Sequence, residues 1–243
     1  MSRLLRHVHR VTRRSRRRNY FSAGDNGYGT HAPFLRCSLD FLMAKSEKEL
    51  TVFEVGTGGE SSRIFQETLR SNDSVRLFSF ENDITWSSKY RQAYPQHPRW
   101  WLLEDRDFQH WPTRISEELS RTSPDSASLG FIDSNPWESR IAALGALASA
   151  DIFLIHDVDY FPHNGLFGRE VRSIENSPSR LLRYGPLISR HLGSRDYGDI
   201  ARSWIECFPR DPAYFTGPPT LVASNRIDVG SIRMPADSIL LRL

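Results

Sequence analysis

Lysine is nearly missing from this chain. Only Lys45, Lys48 and Lys89 contribute to a basic complement of 32, the rest of which is arginine. None falls between 49 and 88, the stretch that holds the glycine loop, and a phosphate-cradling loop of the Gly-Lys-Ser/Thr kind is thereby excluded. Cysteine is as scarce. Cys37 and Cys207 are too far apart for a metal-ligand or redox spacing, and two buried thiols are the reading they support. No apolar run approaches the ~18 residues of a membrane span, so the body is expected to be soluble, cytoplasmic or membrane-peripheral. Acid is absent from residues 1–18, which carry eight arginines and lift a body of −5 to a net charge of +3.

That basic segment lacks the long apolar core of a secretory signal. Three readings of it stand: a solvated, disordered arm, an organelle-targeting segment, or a contact for anionic lipid or nucleic acid through residues 1–18. Residues 1–22 are set apart as a tail, and 23–243 form one domain.

What is present is alternation. Helical spacing over Pro33–Lys45 is followed by apolar strands at Thr51–Val55, Val75–Phe80, Trp100–Leu103, Ser128–Ile132 and Asp151–Ile155. Between them lie helices over Ser61–Leu69, Ile84–Tyr94, Trp111–Leu119 and Trp137–Ala148. The strands are short, apolar and without strict alternation, as parallel strands buried on both faces are. Five strand–helix units predict an α/β fold: a doubly wound, mostly parallel open sheet flanked by helices. Further on, Tyr197–Cys207 reads as helix, and Ala213–Phe215 with Pro219–Ser224 as an antiparallel pair around Gly217-Pro218.

The most informative segment is Thr51-Val52-Phe53-Glu54-Val55-Gly56-Thr57-Gly58-Gly59-Glu60-Ser61-Ser62. An apolar strand ends in an acid, a glycine bend follows, and a helix begins with Ser61 or Ser62 as its cap. Glycines there permit positive φ or close approach of a ligand, and a helix start presents unpaired amides. The spacing is not Gly-x-Gly-x-x-Gly, which disfavours a nicotinamide-dependent oxidoreductase. A glycine turn that merely joins a core strand to a helix is the bland alternative. The segment resembles motif I of the class I S-adenosylmethionine-dependent methyltransferases, with Glu60 where that family often has a further glycine.

Each of the first five strands is followed within a few residues by acid: Glu60; Glu81 or Asp83; Asp105 or Asp107; Asp133; and Asp157. In open α/β sheets ligands bind beyond the carboxyl ends of the strands, and an acid ~20 residues after the glycine bend meets a ribose diol. Glu81 directly follows its strand and is preferred to Asp83 for that role. Phe131-Ile132-Asp133-Ser134-Asn135-Pro136 resembles motif IV of the same family. Asp133 paired with the acid after Ile155-His156 resembles its small-molecule and saccharide O-methyltransferases. The loop lacks the Asp/Asn-Pro-Pro-Tyr/Phe pattern of amino-N methyltransferases.

The resemblance implies S-adenosyl-L-methionine as cofactor, held by Glu54, Gly56, Thr57, Gly58 and Gly59, with Glu81 on the ribose, Asp105 near the adenine and Asp133 where cofactor and acceptor meet. It implies O-methylation of a small hydroxylated or glycan acceptor. Removing a hydroxyl proton needs a base or a metal. His156 is the candidate base, with Asp133 and Asp157 orienting it or binding the acceptor. Alternatively Asp133 and Asp157, with Asp159 or Asn135 as a further oxygen ligand, share a hard divalent cation. A buried structural histidine is the competing account of His156. Arg140, Arg169, His163, Trp137, Tyr160 and Phe161 are candidate acceptor-pocket residues. Two further function classes stay open: an RNA-modifying methyltransferase recruited by the tail, and a binding protein that keeps the scaffold without the chemistry.

Overall fold

A computed structural model of the chain describes residues 31–156, 197–198, 200–209, 220–236 and 238–241. Helix α1 (Ala32–Lys45) carries Pro33 in its first turn, where a missing amide is tolerated. Strand β1 (Leu50–Val55) is buried at every position and leads through the glycine bend into α2 (Gly59–Ser71). Strand β2 (Val75–Glu81), α3 (Ile84–Ala93) and β3 (Trp100–Glu104) follow. Next come a 3₁₀ turn (Phe108–His110), α4 (Trp111–Ser120), β4 (Ala127–Ile132), α5 (Trp137–Leu147) and β5 (Ile152–Ile155). The last strands are β6 (Ser203–Pro209), β7 (Thr220–Ser224) and β8 (Ser238–Leu241).

The eight strands form one sheet in the order β3-β2-β1-β4-β5-β7-β6-β8. The first five in that order run parallel, and β7, β6 and β8 extend the sheet by antiparallel pairing. This is a doubly wound, mostly parallel α/β sheet, as the strand–helix alternation predicts. Alternate residues serve the two faces. Leu50 and Val52 of β1 join Phe34, Leu35, Ile64 and Phe65 of α1 and α2. Phe53 and Val55 join Trp111, Ile115, Ala143 and Leu147 of α4 and α5. Each large side chain buried in this way contributes ~1.5–3 kcal/mol. Continuous apolar strands are legible in sequence because both faces are covered.

Two readings are corrected. Tyr197–Cys207 is not a helix: Ser203–Pro209 is strand β6, paired with β7 on one side and β8 on the other. Ile200, Trp204 and Cys207 fit a helical period, but Ile205 and Cys207 face one core layer while Trp204 packs against the other. Pairing on both edges outweighs local periodicity. The partner of β7 is accordingly β6, whereas Ala213–Phe215 lies outside the described residues. The second correction is smaller. α2 begins at Gly59, with Gly58 as its N-cap and no side-chain cap, so neither serine serves as one. Among the described residues no helix is long and apolar enough to cross a membrane.

The strand order reverses between β1 and β4. Both strands are parallel there and end at the same edge, which places the loops after them side by side.

Candidate active site

The glycine bend is built against that reversal. Gly56 has φ +86°, and a Cβ there would stand 2.5 Å from the Asp133 carbonyl oxygen and from the Ser134 Cα. Its glycine is thus required by close approach of the β4 end, together with a backbone conformation that L side chains rarely adopt. Gly59 is different. A Cβ there would meet nothing nearer than the Tyr90 hydroxyl at 4.0 Å.

Glu54 lies beneath the bend, 1% exposed. Its Oε1 accepts from the hydroxyls of Ser61 (2.9 Å) and Ser62 (2.6 Å), and its Oε2 from that of Ser79 (2.8 Å). The two serines at the start of α2 therefore serve Glu54. Burial raises the carboxyl to about 7, while the three hydroxyl bonds hold it down. Any part Glu54 takes in holding a ligand is indirect, through the helix start it ties to β1 and β2.

Glu81 ends β2 and turns to the bend. Its Oε2 accepts from the Thr57 amide (2.9 Å) and hydroxyl (2.7 Å), and its Oε1 from the Asp83 amide (2.9 Å). The Trp86 indole donates to the Thr57 carbonyl at 2.6 Å, which lays a 40% exposed ring beside the bend. Asp83 caps α3, accepting from the amides of Thr85 and Trp86. Of the two acids after β2, Glu81 is the one at the bend. Beyond β3, Asp105 accepts from the Asp107 amide (2.9 Å) and contacts His110 Nδ1 (3.1 Å). These two, the amide first, hold its carboxyl below the usual range. Asp107 caps the 3₁₀ turn.

At the end of β4, Asp133 Oδ1 accepts from Arg140 Nη2 at 2.9 Å. The same guanidinium donates to the Ser134 carbonyl (2.7 Å) and to the His156 carbonyl (2.6 Å). Arg140 was expected in an acceptor pocket. Instead it is a buried clamp between the ends of β4 and β5. The Asn135–Pro136 peptide in this loop is cis.

His156 follows β5, 5% exposed, with Nδ1 3.3 Å from the Thr220 hydroxyl of β7. Edge-on against its ring, at 4.6 Å between centroids, stands His31. His31 also packs on Phe131 at 4.8 Å. It is 3% exposed, and among the described residues neither of its ring nitrogens has a hydrogen-bond partner. Burial, and secondarily the charge of His156, push its pKa well below the ordinary value. His31, Asp133 and His156 each offer a ligand atom, all within 4.8 Å of one another.

The structure thus gathers Gly56, Thr57, Gly58, Glu81, Asp133 and His156 along one sheet edge, with Asp105 farther out and Glu54 beneath. Asp157, Asp159, Tyr160, Phe161, His163 and Arg169 lie outside the described residues, as does the Trp137 side chain. Sequence reasoning overlooked His31. It precedes a helix as an isolated histidine, and no spacing connects it to a strand end more than a hundred residues away.

No protein-family model matches the chain, and no curated protein matches it. Among solved structures, a probable spermidine synthase from Corynebacterium glutamicum is similar over 86% of this chain and 74% of its own, at 11% identity and a TM-score of 0.44. That degree of likeness bears on neither activity nor ligand.

Proposed function

We propose that the protein is an S-adenosyl-L-methionine-dependent methyltransferase acting on a hydroxyl of a small or glycan acceptor. The observation that carries this reading is the contact of the Glu81 carboxylate with Thr57. It brings an acid at the end of β2 against the glycine bend, where the strand order reverses and open α/β sheets bind ligands.

The residues fit the cofactor. Gly59 has room above it, and the first turn of α2 supplies amides. The Glu81 carboxylate already accepts three hydrogen bonds, and a carboxylate accommodates about four. Engaging both ribose hydroxyls therefore requires the Thr57 hydroxyl to turn away, while its amide bond remains. Trp86 flanks the same bend with a flat apolar surface suited to adenine. The cofactor when bound supplies a methyl group on a sulfonium leaving group. Asp133 and His156, at the ends of β4 and β5, stand where the acceptor's hydroxyl would have to lose its proton.

Isothermal titration with S-adenosyl-L-methionine tests the reading. Wild type is expected to bind, and Glu81→Gln to lose affinity about tenfold or more, the worth of charge-assisted hydrogen bonds. No binding at millimolar cofactor would discard the reading, and unchanged affinity in Glu81→Gln would move the ribose role elsewhere.

A further inference from the structure

Away from the glycine bend, the sheet edge holds a second polar cluster. His31, at the start of α1, His156, after β5, and Asp133, after β4, converge from three separate elements. Two imidazoles and a carboxylate are a donor set for a first-row divalent cation of borderline softness. Calcium and magnesium prefer all-oxygen sites.

We propose that His31, Asp133 and His156 bind a divalent transition-metal ion of the zinc or ferrous kind, with at least one coordination position left for a ligand. Two observations on His31 carry this. Its ring is almost wholly buried, yet among the described residues both nitrogens lack a partner. A buried polar group left unsatisfied destabilises the fold, and a coordinating ion removes that cost for one nitrogen. The ring also stands beside two groups able to complete a site, with a ligand atom of each of the three within 4.8 Å of the others.

The neighbours are arranged as metal ligands require. A hydrogen bond from His156 Nδ1 to Thr220 would put the lone pair on Nε2, the tautomer that coordinates. Arg140 orients the Asp133 carboxylate through Oδ1, and carboxylate oxygens can take more than one partner. The site lies at the acceptor end of the proposed active site, where a metal-bound hydroxyl would lose its proton more readily. Metal binding itself does not depend on that reading.

The test is titration of the chelator-treated full-length protein with Co²⁺, followed by its visible ligand-field bands, and competition with Zn²⁺ and Mg²⁺. One ion per chain is expected, displaced by Zn²⁺ and not by Mg²⁺. His31→Leu, of similar volume, is expected to lose affinity about 100-fold or more, since loss of an outer partner alone costs 10–100-fold. The other histidines remain in that variant, so adventitious binding would survive. The metal-free variant is expected to be at least as stable as wild type, because two unsatisfied nitrogens are gone. Absence of stoichiometric binding, equal affinity in His31→Leu, or preference for Mg²⁺ would each overturn the proposal. S-Adenosyl-L-methionine binding, measured on the same samples, separates failure of the metal site from failure of the cofactor reading.

Discussion

The two halves of the sheet edge treat their polar groups in opposite ways. Around the glycine bend every acid is answered from within the chain: Glu54 by three serines, Glu81 by Thr57 and Asp83. At the ends of β4 and β5 the backbone is clamped by Arg140, yet the described residues leave both buried nitrogens of His31 unanswered. The first half is complete as folded, and a ligand there must compete with internal bonds. The second half keeps a polarity deficit that a bound ion would relieve. Preorganisation and incompleteness thus sit side by side, at the strand ends where the sheet reverses.

The largest expected effect would break the first half. Gly56→Ala combines positive-φ strain with a clash against the backbone of Asp133 and Ser134. It should destabilise by roughly 4 kcal/mol, read as a lower urea midpoint. Gly59→Ala, which meets no such wall, should stay within about 1 kcal/mol of wild type. Equal losses at the two glycines would mean that the bend is not built against β4.

Breaking the clamp tests the second half. Arg140→Met removes its bonds to the Ser134 and His156 carbonyls and its ion pair with Asp133. Breaking a buried pair costs about 3–5 kcal/mol. Because the Asp133 side chain remains 21% exposed, a loss near 3 kcal/mol is expected, measured by chemical denaturation. A loss below about 1 kcal/mol would show that the ends of β4 and β5 are held by something else.

The smallest of the three effects sharpens the comparison through pH. Glu54 holds its proton up to about 7 in the folded chain, against 4.5 ordinarily. Below that ordinary value both states are protonated. Between the two values only the folded state keeps the proton, so this contribution to stability declines as pH rises. Above 7 the decline is complete, at roughly 3 kcal/mol or less. Glu54→Gln should flatten the difference between pH 5 and 8 in denaturation midpoints and be relatively more stable at the alkaline end. A variant with the wild-type slope would remove Glu54 as its source.

Much of the fold was open to sequence reasoning because its signals are local. Strands such as Leu50–Val55 are apolar throughout, since helices cover both faces. The bend after β1 announces itself by glycine, and Glu81 by its place directly after β2. Strand β6 was misread because Ile200, Trp204 and Cys207 satisfy a helical period. Its pairing with β7 and β8 depends on segments that short-range spacing does not see.

By itself, then, the sequence determined the alternation of strand and helix, the edge at which the acids gather and the bend that needs glycine, for those follow from neighbours a few residues apart. Tertiary structure alone decided that Arg140 is a clamp, that Glu54 is sealed under a serine cage and that His31 meets His156 and Asp133. These depend on contacts between elements, where burial removes water and leaves each polar group with only the partners the fold provides.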